Sequence, residues 1–458
     1  MRKIGFLGVL LMLFTSGLFA QDDMVLVVGT TSIYSGKDLI LSFSGTVDVS
    51  IEWADGTSDS YNAEGEYTHT YPSQYEDTVK ISGTFTGFRI REYLFSTKSL
   101  TSVVSFGNTG VTDLSRAFTN CRFLTSVPAT LPPGITNLRG IFTAATLFNG
   151  DISNWDVSEV TDFSLMFNNA YAFNGDISNW DVRNANDMSC MFRDASSFNG
   201  DISGWDISNV TQIICIFEGA SSFNIDISNW NISNIKNMMY LFHNATDFNQ
   251  DLNIWDVSNV TDMSYMFFNA SSFDKSLNNW VVDSVSTMCS MFENAASFNQ
   301  DLNNWNVSSV VNMNRMFADA NSFNGDIHSW NTVNVTDMSY MFDGAISFNC
   351  ELNNWDVSNV TIMSYMFENC LSFNQDLNNW NVSSVGIMEY MFTGASAFNG
   401  NINTWDVSNV EYMNLMFEGG TLPTEIYSNM LVEWSKLTLQ NNVVFSGGNS
   451  KYNKAGDY

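Results

Sequence analysis

The side chains best suited to catalysis are few and scattered. The three histidines, His69, His243 and His328, lie in different parts of a 458-residue chain, and none pairs with another at a spacing that would place two imidazoles on one metal. There is no glycine-rich phosphate loop. Carboxylates are abundant, but they fall in columns: Asp151, Asp176, Asp201, Asp226, Asp251, Asp301 and Asp326 in one, Asp156, Asp181, Asp206, Asp256, Asp356 and Asp406 in another. An acid–base dyad needs two carboxyls set apart by their surroundings, whereas identical aspartates at a fixed step follow from repetition. Their expected use is to accept turn N–H groups. Stacked like charges also attract cations, so weak, non-specific stabilisation by calcium is expected, although the glycine-rich calcium repeat is missing. The reading is a non-enzyme with no catalytic residue, no dedicated metal ligand and no cofactor.

Binding chemistry is easier to find. Tyr240, Tyr265, Tyr340, Tyr365 and Tyr390 share one column, which holds Ser290 and Arg315 in between. Variation inside an otherwise strict repeat marks a position that the core does not dictate. If exposed, these tyrosines form an interrupted aromatic ladder suited to a sugar or a protein; the alternative is partial packing against the neighbouring coil. Cys190 and Cys215 occupy the same column on adjacent coils. Coils stacked roughly 5 Å apart, as strands are, would bring their Cα atoms inside the roughly 4.4–6.8 Å range of a disulfide, and an exported protein meets oxidising conditions. In-register side chains point the same way, which argues against the bond, so both states stay open. Cys121 and Cys370 fill the small-residue slot held elsewhere by Ala170, Ala270 and Ala295 and read as buried thiols. Cys289 and Cys350 have no partner in register. Asn149, Asn174, Asn199, Asn224, Asn249, Asn299 and Asn324 form a further column, read as buried amides that satisfy turn backbone and stack on their equivalents rather than as sugar ligands.

The elements that position these groups recur every 25 residues. Eleven tryptophans run from Trp155 to Trp405 at that step without insertion or deletion, and two phenylalanine columns run from Phe142 to Phe417 and from Phe148 to Phe398. A fixed period of this length means stacked supersecondary units. Within one unit the apolar positions are Val260, Met263, Met266, Phe267, Ala270, Phe273, Leu277, Trp280 and Val282. That spacing is neither helical nor alternating; it fits a coil that turns several times and points one residue inward at each turn. One coil buries too little to offset the ordering of its own backbone, so neighbours must complete it, as in other one-dimensional repeat folds. The fold class expected is therefore a repeat solenoid. Locally, 256–261 reads as a short strand, Asp262 as the cap of one or two helical turns over 263–269, and 271–279 as a polar return.

Arg2 and Lys3 precede an apolar run at 4–14, with Ala20 at its exit: the pattern of a signal peptide over 1–20. The run is well short of the roughly 20 residues a membrane span requires, and no later stretch is apolar enough to cross. The mature protein is expected to start near Gln21, secreted or at the cell surface, with no membrane span after signal removal. With 48 acidic against 18 basic residues and a net charge of −30, nucleic acid and anionic lipid are poor partners. A hydrophobic content of 45%, with 36 Phe and 13 Trp, excludes a disordered chain. An extracellular protein or glycan is left as the expected partner.

The stretch FNQDLNIWDVSNVTDMSYMF at 248–267 resembles the BspA-type leucine-rich repeat surface proteins, in their Trp- and Met-rich branch. The resemblance covers about 100–420; VTDLSRAF from Val111 and ITNLRGIF from Ile135 keep the pattern 24 residues apart, without the Trp. It implies a leucine-rich-repeat-like, right-handed solenoid of short parallel strands and short helical turns over 93–420, on an exported protein that mediates adhesion or protein–protein interaction. A carbohydrate-binding or purely structural spacer module is the alternative, and the family brings no catalytic residues. Residues 21–92 resemble a PKD-like, immunoglobulin-type β-sandwich, through a W-x-D-G-T turn at Trp53, Asp55, Gly56 and Thr57 followed by His69, Thr70 and Tyr71. After Gly420 the period stops. Over 421–458 a helix capped by Thr424, with Ile426, Met430, Trp434 and Leu437 on one face, and a strand at 443–445 read as a lid on the open end of the stack.

Overall fold

The computed structural model describes residues 22–30, 38–71, 76–91 and 98–453; the leader expected at 1–20 lies outside them. Eight strands come first: β1 (Met24–Thr30), β2 (Asp38–Ser44), β3 (Asp48–Glu52), β4 (Ser58–Tyr61), β5 (Gly65–Thr70), β6 (Glu76–Thr84), β7 (Gly87–Arg91) and β8 (Lys98–Phe106). They form two antiparallel sheets, ordered β4-β3-β6-β1-β8 and β5-β2-β7. Alternation decides which face is buried: Val49 and Ile51 of β3 face inward between exposed Asp48, Ser50 and Glu52, and join Leu26, Leu41, Phe43 and Ile81 in one core shared by both sheets. The domain boundary expected at 92 falls too early, because β8 pairs with β1 along its length. Two register shifts in that pairing break the alternation of β8, whose buried residues Leu100, Val103 and Phe106 are spaced by three and hide the strand from a period-two reading.

The sheets pass directly into the repeats. Gly87 of β7 and Ser102 of β8 make parallel bridges to Asp113 and Ser126 of the first coil. From there the bridges step by one period, Asn137 to Asp162 to Asp187 to Gln212, and Asn237 to Asp262 onward to Tyr412. Between β8 and residue 424 the described residues contain no helix and no strand longer than such a bridge. The helical turns expected over 263–269 do not form, and the strand expected at 256–261 is reduced to the bridge at Asp262.

The reason lies in where the backbone donors go. Met263, Tyr265, Phe267 and Asn269 donate to the carbonyls of Thr287, Cys289, Met291 and Glu293 on the next coil at 3.2, 2.9, 2.9 and 2.7 Å. The intervening N–H groups of Met266, Phe268 and Ala270 close turns on Met263, Tyr265 and Phe267. Alternation of this kind needs left-handed backbone at Tyr265 (φ 59) and Asn269 (φ 54), which an α-helix cannot contain. Asp262 does accept the N–H of Ser264 at 2.9 Å, as a turn rather than a helix cap. Most corners of the coil are turns that join one buried residue to the next, Val257 to Val260, Met263 to Met266, Phe267 to Ala270 and Ala270 to Phe273.

The aromatic columns stack from coil to coil. Phe167 and Phe192 lie 5.7 Å apart at 9°, Phe173 and Phe198 5.9 Å apart at 9°. The core runs without interruption from Met24 to Trp434. At its far end sits α1 (Thr424–Trp434), whose N-cap is Pro423 and which has no side-chain cap; Thr424 is already its first helical residue, contrary to the capping role expected. Tyr427, Met430 and Trp434 are its buried stripe, with Ile426 only half-buried. The strand expected at 443–445 is one bridge, Phe445 to Met413.

Candidate binding face

Each coil carries one corner at the position of Tyr265, half-buried except at Cys215 and Ser290, which are buried, and there the backbone is left-handed throughout: Cys190 (φ 55), Cys215 (59), Tyr240 (60), Tyr265 (59), Ser290 (52), Arg315 (57), Tyr340 (59), Tyr365 (61) and Tyr390 (58). An L-residue in that region costs roughly 1–2 kcal/mol. Four residues on, the column that shares the strain is Asn, Asp or Gly in nearly every coil, as at Asp194, Gly219, Asn244, Asn269, Asp319 and Gly344, the types that tolerate it best. The tyrosine column carries no such local signature.

The five tyrosines are half-buried, between the two alternatives set by the sequence. They are brought together in two groups. Tyr240 stacks on Tyr265 with ring centroids 4.8 Å apart. Tyr340 stacks on Tyr365 at 4.4 Å, and Tyr365 on Tyr390 at 4.6 Å. Arg315, an interruption in the sequence pattern, extends the second group: its guanidinium lies 4.0 Å over the Tyr340 ring, a cation–π contact. Ring faces are thus largely covered by neighbours. Burial, then Tyr340 and Tyr390, push the Tyr365 hydroxyl up to about 12.

Beside this ladder runs a column of charged and aromatic residues that sequence reasoning did not single out. Glu293 lies 3.5 Å from Arg315. Burial, then the charges of Glu368 and Asp319, raise the Asp343 carboxyl to about 7 against the opposing pull of Arg315. On the earlier coils, Arg193 pairs with Glu218 at 3.1 Å. His243 stacks on Phe268 at 4.7 Å and meets Tyr240 edge-on at 5.2 Å; burial, then Arg193, lower it to about 4, so at neutral pH it is an uncharged ring.

Cys190 and Cys215 are brought side by side as free thiols that perturb each other. The interaction with Cys215, with Arg193 helping and burial opposing, lowers the Cys190 thiol, while the Cys215 thiol is pushed up. Cys121 and Cys370 are buried in the alanine slot.

The aspartate columns build turns. Asp151 accepts the backbone N–H and hydroxyl of Ser153 at 3.0 and 2.7 Å, and Asp156 those of Ser158 at 3.1 and 2.7 Å. These bonds hold both carboxyls below the usual range, and the pattern recurs along the columns. The asparagine column is a ladder of a different kind from the one expected. Each Oδ1 accepts the N–H of its equivalent on the next coil, Asn149 from Asn174 and Asn174 from Asn199 at 2.9 Å, but the amides lie at the surface and not in the core. Among the described residues no three His, Cys, Asp or Glu converge as a metal-binding group, and no helix is long and apolar enough to cross a membrane.

Near the N-terminus, Asp55 organises the W-x-D-G-T turn. It accepts the Thr57 hydroxyl at 2.6 Å and faces His69 Nε2 at 2.9 Å, and Trp53 stacks on His69 at 4.5 Å. The Thr57 hydroxyl, seconded by His69, holds the Asp55 carboxyl down to about 2.

No significant match is found among curated proteins. Among solved structures, the chain is similar to the plant peptide hormone receptor RGFR1 in complex with RGF2, at 8% identity over 75% of this chain and 68% of that one, with a TM-score of 0.17; a likeness that low carries no argument. Five overlapping stretches, 112–228, 201–296, 252–337, 276–354 and 321–434, match the family described as Mycoplasma protein of unknown function, DUF285, and together they cover well over half of the chain, which therefore belongs to that family.

Proposed function

We propose that this repeat protein is an exported adhesin: a BspA-type, leucine-rich-repeat-like solenoid behind a PKD-like domain, which binds an extracellular protein through the ladder of Arg315, Tyr340, Tyr365 and Tyr390. The observation that carries the reading is that the stacked tyrosine column outside the core is also a column free to vary between coils. Export rests on the leader pattern at 1–20, and the PKD-like assignment on the Trp53–Asp55–His69 arrangement. A polypeptide suits the ladder better than a sugar. Carbohydrate stacks on a free ring face, whereas these rings cover one another and offer edges and hydroxyls. With a net charge of −30 and Glu368 and Glu389 beside Tyr365, the partner is expected to be basic, and its association to slow as salt rises.

The test is a Tyr340→Ser, Tyr365→Ser, Tyr390→Ser triple variant on an array of basic matrix proteins and glycans. Serine is a fair replacement because Ser290 holds the same left-handed corner (φ 52). Binding to a protein ligand should fall by more than about tenfold, as for a hot spot, with the melting transition retained. Binding confined to glycans would replace the protein reading by the carbohydrate one, and no binding at all would leave a structural spacer.

A further inference from the structure

The chain has thirteen tryptophans, and twelve of their indole N–H groups have an acceptor. Trp53 donates to Asp59 at 2.7 Å. The eleven repeat tryptophans each donate to a main-chain carbonyl of the preceding coil, from Trp155 to Pro128 at 2.9 Å through to Trp405 to Leu377 at 2.9 Å. Trp434 is the exception. It is only 5% exposed, yet its Nε1 has no partner among the described residues. A buried donor left unpaired costs more than a made bond contributes, so such an atom calls for an acceptor from elsewhere.

Trp434 also lines a cavity of about 340 Å³ between α1 and the last coil, walled by Val407, Val410, Met413, Val443 and Phe445. The volume falls at the lower end of small-molecule sites, which are apolar with a few placed polar groups. Of the three other polar side chains on the wall, two are already engaged, Ser435 Oγ donating to the Val432 carbonyl at 2.8 Å and Gln440 Nε2 to that of Ser408 at 2.9 Å, and the third, Asn442, is exposed to solvent. No charged residue lines the cavity. An ionised ligand would lose its hydration with nothing to replace it, and the acidic protein adds repulsion for an anion.

We propose that this cavity, where the cap closes on the last coil, is a binding site for a neutral, largely apolar small molecule with one hydrogen-bond acceptor, a ketone in chemical class, held by Trp434 Nε1–H. The site is independent of the tyrosine ladder and of the adhesive reading.

The test uses the full-length mature chain and three probes of one shape: benzophenone, diphenylmethane, which lacks the acceptor, and 4-benzoylbenzoate, which adds a charge. Calorimetry should show one saturable benzophenone site, with the other two weaker by at least about tenfold. Irradiation of the benzophenone complex should place the adduct within 407–445. Trp434→Phe should reduce benzophenone to the level of diphenylmethane and leave diphenylmethane unchanged. Val410→Phe fills the cavity from the coil side and should abolish both, which keeps the test decisive if the Trp434 variant does not fold. Absence of a saturable site, equal affinity for benzophenone and diphenylmethane, an adduct elsewhere, or binding that survives Val410→Phe would each overturn the proposal.

Discussion

Cys190 and Cys215 show how one residue's chemistry depends on the residue one coil away. Both sit at left-handed corners (φ 55 and 59) on adjacent coils, and the result is a pair of thiols each of which shifts the other. The half-buried Cys190 has the lowered thiol and Arg193 close by; Cys215, 9% exposed, has the raised one. Thiolate fraction and access together set the rate of alkylation. In the unreduced protein, iodoacetamide should therefore label Cys190 well before Cys215, and Arg193→Gln should slow the labelling of Cys190. A peptide pair joining the two residues in the mass spectrum would show a disulfide instead, and equal labelling rates would show that the pair is not coupled.

At the scale of the element, the unit is the coil and not a helix or a strand. Its corners are turns between successive buried residues, and its alternate N–H groups belong to the next coil. Stability of this kind is a sum over neighbours, so removing one whole period should cost little. Deleting 286–310 joins Val285 to Val311 and keeps every Phe, Trp and Asn column in register. The variant should melt in a single transition only a few degrees lower. Deleting 286–297 alone breaks every column, and this variant should not fold. Circular dichroism melts compare the two; equal damage from both deletions would show that the columns are not the unit of stability.

For the whole molecule, acid and base act through different groups. The turn aspartates, and Asp55 at about 2, have folded-state values below their ordinary 3.8. Their contribution is complete above that value and is lost as pH falls through the folded values. Asp343 has the opposite sign. Raised from 3.8 to about 7, it keeps a proton in the folded state that the unfolded chain has released, so stability falls as pH rises through that window and levels off above it. The melting temperature at fixed ionic strength should accordingly pass through a maximum between these limbs. Asp343→Asn should make the upper slope shallower and leave the acid limb in place. An unchanged upper slope would show that Asp343 does not titrate in that window.

Repetition is what made much of this legible in the sequence. When Phe, Met, Ala and Trp return at every twenty-fifth residue, the same side chain must meet the same surroundings in each coil, so the stacked core and its inward positions from Val260 to Trp280 could be read without a structure. The turn role of the aspartates was equally local, because Asp151 needs only Ser153. What the sequence could not settle was every choice made between an acceptor three residues back and one on the next coil. Tyr265 reads as part of a helical turn until its N–H is seen to go to Cys289, and the hidden clue was the neighbouring column of Asn, Asp and Gly that tolerates the same left-handed backbone. β8 was missed because its register shifts against β1 erase the alternation. The half-burial of the tyrosines depends on how closely successive coils stack their rings, and the solitary N–H of Trp434 on contacts between segments that no periodicity links; only the tertiary structure decided them.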